Sequence, residues 1–215
     1  MIRPGEEWGT PTASGPDVVV TGGDGDLARA VERNPGRLFR FSATADSDLL
    51  RVVGTDAGAV AGLDVPVDAL RLGATNLAVN MVVAGTPPDR LRRFSRRFFA
   101  LVTVDGREVA RGPVTTVVVA TGEFLRGNDI VPRGHPGDGR AEIQAYAVGP
   151  GQRRALRTRL RAGAHVPHPA IAQATGKSVE ISFERPVPVE VDGRPGPPVS
   201  TLSVTVIPAA YRLLL

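Results

Sequence analysis

Three turns in this chain hold residues whose type and spacing could do chemistry. Gly22-Gly23-Asp24-Gly25 follows the apolar run Asp17–Thr21 and precedes a helical stretch, Leu27–Arg33, with Asp26 placed to open it as N-cap. Strand, glycine turn and helix N-terminus in that order set backbone N–H groups where a phosphate can lie, although any plain tight turn needs the same glycines. Asp138 in Gly137-Asp138-Gly139 and Asp192 in Val191-Asp192-Gly193 each precede a glycine. On geometry alone both are turn residues, because Asp bonds its own backbone and Gly accepts positive φ. His165 and His168 invite a metal or acid–base reading, and a turn-capping role is the favoured one. The chain has no cysteine, so thiolate sites and disulfides are excluded.

The elements that must position these turns change character along the chain. Residues 1–16, rich in Gly, Pro, Ser and Thr, read as a flexible lead-in. Residues 17–62 alternate strand and helix signals: Asp17–Thr21, Leu27–Arg33, Arg37–Ser42, then a helix over Asp46–Gly54 with a glycine stop. Residues 63–215 turn to β. Strands are expected near Val67–Gly73, Asn76–Gly85, Ala100–Arg111 (a hairpin turning at Asp105-Gly106), Val114–Gly122, Arg140–Val148, Lys177–Phe183 and Leu202–Pro208. Pro186 and Pro188 make the Val187–Val191 strand a short one or one at a sheet edge. One helix is expected in this half, Pro150–Arg161, and the apolar tail Ala209–Leu215 should dock against something. The fold class is therefore α+β: a reduced α/β part followed by a mainly antiparallel two-layer β-sandwich.

Composition narrows the partners. The 215 residues hold 42% hydrophobic and 22% charged side chains, the usual balance of a globular protein. No run approaches the ~18 apolar residues of a membrane span, and the N-terminus has no signal-peptide pattern, so a cytoplasmic location is expected. Lys177 is the only lysine; the arginines cluster at Arg90–Arg97 and Arg153–Arg161, within a net charge of only +4. With aromatics at 5%, a nucleic-acid surface is not expected; the clusters are solvated faces or a surface for anionic lipid.

The stretch from Gly163 to Arg194, with its G-x-H-x-x-H-P, V-E-I and P-x-P-V-x-V-D-G strings, resembles the C-terminal domain of diacylglycerol kinases and related bacterial lipid kinases. Val117–Gln144 resembles the same family, and Gly22–Gly25 matches its G-G-D-G-T turn. The resemblance implies ATP-dependent phosphoryl transfer to a lipid hydroxyl. Gly22, Gly23, Asp24 and Gly25 would be the phosphate cradle, Asp192 and Asp138 the catalytic carboxylates, and Asp138 a position linked to Mg²⁺. It implies a lipid substrate or an anionic membrane surface as partner, a homodimer, and peripheral membrane location. Four departures stand against full activity. Asp26 replaces the family's Thr; Ala43-Thr44-Ala45 lacks the glycines of a second nucleotide loop; Arg194 replaces the Glu of V-D-G-E, the family's proton acceptor; and few residues precede Gly22. Arginine cannot accept a proton near neutral pH, though it can pair with phosphate. The alternative reading is a non-catalytic lipid- or anion-binding module.

Overall fold

A computed structural model describes residues 8–54, 62–73 and 76–215. In chain order the first elements are β1 (Thr10–Pro11), β2 (Val18–Gly22), α1 (Asp24–Arg33), β3 (Leu38–Ala43) and α2 (Asp48–Val53). There follow β4 (Leu63–Leu72), β5 (Asn76–Ala78), β6 (Met81–Gly85), a single 3-10 turn at Pro88–Arg90, β7 (Phe98–Val104), β8 (Arg107–Val114) and β9 (Thr116–Ala120). The remainder is β10 (Phe124–Leu125), β11 (Asn128–Asp129), β12 (Ala141–Tyr146), α3 (Arg153–Leu160), β13 (Ile171–Gly176), β14 (Ser178–Val187), β15 (Val189–Val191), β16 (Arg194–Pro195) and β17 (Val199–Leu214).

Two mainly antiparallel sheets pack face to face. One runs β1-β4-β17-β14-β7-β8; the other runs β13-β12-β9-β6-β15-β16. Between them lies a core of Val102, Val117, Val119, Ile143, Ile181, Val204 and neighbours. The far face of the second sheet is covered by α3, whose Leu156 and Leu160 pack on Val118, Ala120 and Tyr146. This explains why β9, Thr-Val-Val-Val-Ala, shows no alternation: it is buried on both faces. The sequence expectation of an α+β chain dominated by an antiparallel β-sandwich is met.

β17 is the spine of the molecule. Its first half pairs with β14 and β4; after a register shift between Ile207 and Tyr211 its second half runs parallel to β3, Arg212 opposite Leu38 and Leu213 opposite Phe39. β2 adds parallel to β3, and α1 and α2 complete the small α/β part over Leu27, Val31, Phe39, Leu49, Val67 and Tyr211. The apolar tail thus returns to the first half of the chain. Asp68, a buried carboxylate in β4, holds the joint by accepting N–H bonds from Ala209 (2.8 Å), at φ +47°, and from Gly139 (2.6 Å).

Some expectations need correction. The lead-in expected over 1–16 lies partly outside the described residues, at 1–7; its Trp8–Thr12 segment is docked, while residues 13–15 stay exposed. Trp8 donates to the Pro66 carbonyl at 2.9 Å and packs on His135, and Thr10 and Pro11 pair with β4. An indole and two strand residues gain more from that contact than the Gly/Ser composition suggests. The N-cap of α1 is Gly23, not Asp26. Asp26 stands at N3, where its carboxylate accepts from the Gly23 N–H (2.9 Å); glycine has no side chain to return the bond, so only that half of a capping box forms. α3 is eight residues, shorter than the expected Pro150–Arg161. The Asn76–Gly85 strand is broken at Val79-Asn80. Finally, His165 is buried beneath Tyr146 rather than in a surface turn; burial pulls its pKa down to about 4, so it stays neutral. His168 does cap its turn, accepting from the Ala170 N–H at 3.0 Å.

Candidate functional site

A cavity of about 590 Å³ lies between α1 and the sandwich. Gly25, Ala28 and Arg29 of α1 form one wall; Leu72 and Leu77, Val189 and Val191, and Val199 and Leu202 supply most of the others. Asp192 and Arg194, from the turn between β15 and β16, close its end. A second hollow of about 360 Å³ lies at the Ala43–Ser47 loop; Ala43 and Ala45 of the glycine-free Ala43-Thr44-Ala45 segment line it, and none of the cradle or carboxylate candidates does.

Asp192 (φ +47°) and Gly193 (φ +76°) form the tight hairpin turn expected of Asp-Gly. The Asp192 carboxylate does more than shape that turn. Its Oδ2 accepts from the Val79 N–H (2.9 Å), and its Oδ1 accepts from the N–H groups of Asn80 and Met81 (both 3.0 Å). It therefore satisfies the backbone where the Asn76–Gly85 strand breaks, which is why a strand signal there splits into β5 and β6. Burial pushes its pKa up to about 7 and the Asp24 charge adds to this, while the three N–H groups pull the other way.

For an acid whose folded pKa exceeds its unfolded value of 3.8, the folded state keeps a proton that the unfolded chain has released. The Asp192 contribution to stability should thus fall as pH rises from about 4 to about 7 and level off above. With water reaching its cavity side, the loss is roughly 2–3 kcal/mol. Carboxyl ¹³C NMR should place its midpoint near 7; a midpoint below 5 would mean that the N–H groups outweigh burial.

The glycine turn is covered by an internal ion pair. Arg194 donates to Asp26 Oδ2 at 2.7 Å, and Arg29 donates to Oδ1 of the same carboxylate. A side chain added at Gly25 would run into the Arg194 guanidinium, and one added at Gly22 would run into Asp26. The two residues that depart from the family motif are therefore each other's partner. The Gly23 N–H and Arg194 hold the Asp26 carboxyl below its ordinary range. With Arg194 and Asp26 exposed by 43% and 33%, the pair is a weak latch, about 1 kcal/mol or less.

Asp24 points away from the cavity. It accepts from the Ser47 hydroxyl and from the N–H groups of Asp48 (3.1 Å) and Leu49 (3.2 Å), so it caps α2 together with the N-cap Ser47. Burial raises its pKa despite those donors. Asp48 in turn accepts from the N–H groups of Arg126 (2.5 Å) and Gly127 (2.8 Å) in the β10–β11 hairpin. Arg126 grips Asp89 with two bonds (2.9 and 2.7 Å) and Glu190 with a third (2.5 Å). Glu190 is thereby committed and cannot serve the cavity as an acid. Arg126→Ala should lower stability by about 2 kcal/mol, since it strands two largely buried carboxylates, and chemical denaturation would measure it.

Asp138 is not among the cavity walls. Its Oδ1 accepts from the Arg140 N–H two residues on (2.9 Å), and its charge is felt by Asp68 and Glu142. Among the described residues no group of three His, Asp or Glu is arranged to hold a metal ion. The surroundings of Asp138 do not fit a protein-held Mg²⁺: Asp68 spends both oxygens on backbone N–H groups, and His135 accepts from Gly137 at 3.2 Å. Of the residues nominated by sequence, the fold thus brings Gly25 and Asp192 to one cavity. It places Gly22 and Gly23 against Asp26, turns Asp24 inward, and leaves Asp138 elsewhere. Sequence reading missed Asp68, Arg126 and Tyr211. The Tyr211 hydroxyl is fully buried, has no hydrogen-bond partner among the described residues, and feels the charges of Asp192, Asp24 and Asp68. For Asp68 there was a signal, a lone acid inside the apolar strand Val65–Leu72.

A sandwich whose last strand returns to a parallel β-α-β unit, with a G-G-D-G turn facing a D-G hairpin, defines the fold shared by lipid kinases and NAD kinases. Solved structures bear this out. A diacylglycerol kinase from Bacillus anthracis str. Sterne is similar at TM-score 0.72 and 18% identity, over 92% of this chain and 76% of that one. An NAD kinase from Archaeoglobus fulgidus in complex with ATP is similar at TM-score 0.54 and 13% identity, over 93% and 78%. Yeast NADH kinase complexed with NADH gives TM-score 0.54 and 14% identity, over 92% and 61%. A comparison with curated proteins gives no match. The family model for the YegS C-terminal NAD kinase beta sandwich-like domain matches residues 55–215, and the chain belongs to that family. Among the described residues no helix is long and apolar enough to cross a membrane.

Proposed function

We propose that this chain is a lipid-binding member of the kinase fold in which phosphoryl transfer from ATP is very slow or lost. The observation that carries the reading is Arg194. It stands at the cavity end beside Asp192, in the position where the family motif has a carboxylate, and its guanidinium is paired with Asp26 over the glycine turn. Two magnitudes decide between the ways this could impair catalysis. The half-exposed ion pair opposes a phosphate by about 1 kcal/mol, roughly fivefold. Lack of a proton acceptor costs about 10² to 10⁴ in rate. The missing base dominates.

The lining supports an amphiphile with an acyl chain. Ala28, Leu72, Leu77, Val191, Pro197 and Leu202 offer apolar wall, and Arg29 and Arg194 offer donors to a polar head. ATP, where it binds, would lay its phosphates on the Gly22–Gly25 N–H groups, which requires the Asp26 carboxylate to yield.

A second reading, residual kinase activity, is favoured by one fact: the Asp192 carboxyl lines the cavity with a pKa near 7, suited to accepting a proton at neutral pH. Its oxygens already accept three N–H bonds, which weakens it as a base. Both readings meet in one set of measurements: titration of a fluorescent diacylglycerol, titration of ATP with Mg²⁺, and labelled-phosphate transfer. We expect lipid binding that Thr201→Trp, in the cavity wall, abolishes. ATP affinity should be no better than about millimolar (about −4 kcal/mol), with transfer at background. Micromolar ATP binding with transfer lost in Asp192→Asn would establish the second reading and remove the first.

A further inference from the structure

Two arginine-rich segments, distant in sequence, meet on a surface that does not line the cavity. Residues 90–104 contain five arginines and no acid; residues 143–179 contain five arginines, Lys177 and no acid. The buried Arg153 of α3 joins them. Its Nη1 donates to the carbonyls of Arg92 (3.1 Å), Arg93 (2.9 Å) and Ser95 (2.9 Å), and its Nε donates to that of Val148 (3.2 Å). Ser95 closes the loop on itself by accepting from the Arg92 N–H at 2.9 Å, and Arg185 holds the Arg97 carbonyl at 2.8 Å.

At the tip of this clamped loop Phe94 is 87% exposed, with the Arg93 guanidinium 5.8 Å from its ring centre. Only three large apolar side chains are exposed among the described residues, and two of them, Phe94 and Phe99, belong to this stretch. Arg92, Arg93, Arg96 and Arg97 surround the tip; Arg154, Arg157 and Arg161 follow at helical spacing on the outer face of α3. Carboxylates reach only the margin: Glu190 is 3.7 Å from Arg90, and Glu184 is 3.7 Å from Arg185. The seven arginines around the tip and on α3 have no ion-pair partner among the described residues.

We propose that the Arg90–Arg97 loop and the outer face of α3 form a docking surface for an anionic membrane, with Phe94 entering the boundary between headgroups and acyl chains. Charge complementarity selects the partner: guanidinium groups with no carboxylate partner among the described residues, one of which (Arg97) also donates to the Ala147 carbonyl at 2.6 Å, meet anionic headgroups while the one fully presented aromatic leaves water. The Arg153 clamp holds the loop in its docking shape beforehand, so little order has to be gained on contact. A single-stranded nucleic acid would find the same charge but not a row of aromatic platforms on which to stack successive bases. The surface is independent of what the cavity holds.

Co-sedimentation with lipid vesicles tests this without any cavity ligand. The full chain should bind vesicles of equimolar phosphatidylcholine and phosphatidylglycerol, ignore phosphatidylcholine alone, and be released by salt. Arg92→Gln with Arg96→Gln should lower partitioning about 25-fold, at about fivefold per charge. Phe94→Ser, which changes no charge, should lower it about tenfold. The exposed control pair Arg37→Gln with Arg107→Gln removes the same net charge elsewhere and should cost far less than the loop pair. Equal loss in the control pair, equal binding to neutral vesicles, or wild-type binding by Phe94→Ser would each overturn the proposal. So would tighter binding to polyuridylate than to the anionic vesicles.

Discussion

The double variant Asp26→Thr, Arg194→Glu is expected to transfer phosphate to diacylglycerol at least 100-fold faster than wild type, within the ~10² to 10⁴ that a positioned base contributes. Both changes are needed because the two side chains are partners at 2.7 Å. Arg194→Glu alone would set a new carboxylate against the Asp26 carboxylate over the glycine turn, repelling both the phosphate and its neighbour. Asp26→Thr alone uncovers the turn but leaves an arginine where a proton acceptor is needed. The gains should therefore be strongly non-additive, the double variant exceeding the product of the singles. Labelled-phosphate transfer by wild type, both singles and the double variant measures this. Robust wild-type transfer would sink the premise that Arg194 disables the site. A double variant as inactive as wild type would place the defect in the Ala43-Thr44-Ala45 loop instead.

Arg153→Ala should be the most destabilising single change outside the apolar core. The guanidinium is enclosed with no acidic partner among the described residues, and carbonyl oxygens of Arg92, Arg93, Ser95 and Val148 take the place of one. Burial and the nearby Arg97 charge lower its pKa, but an arginine stays protonated across the physiological range. Removing it leaves those carbonyls to find water and frees the 91–97 loop. The group sits just beneath the surface, so the loss should be about 3 kcal/mol rather than the 5 of a deep pair. That corresponds to a fall in Tm of roughly 6–12 °C for a chain of this size. Arg153→Lys keeps the charge but cannot fan out to four acceptors and should lose an intermediate amount. Thermal unfolding within 1 °C of wild type for Arg153→Ala would show that the clamp is dispensable. Loss of vesicle binding by a folded Arg153→Lys would tie the clamp to docking.

By itself the sequence determined the sandwich and its turns. Val179, Ile181 and Phe183 alternate because one face of β14 is buried, and Asp105-Gly106 and Asp192-Gly193 turn hairpins because their backbones must take positive φ. These are local constraints, written into neighbouring residues. The V-D-G-R string also marked Arg194 as a departure in a position that the resemblance gives to a base. Only the tertiary structure decided what these polar groups do, because their partners lie far along the chain. Asp26 and Arg194 are 168 residues apart and meet only because the β15–β16 hairpin folds over α1. The Asp24 charge sits at the start of α2, 23 residues away, and Asp138 stays outside the cavity. Arg153, at the start of an arginine-rich helix, is indistinguishable in sequence from Arg154. The helix phase beside Leu156 and Leu160 turns one inward to four carbonyls and the other out to solvent.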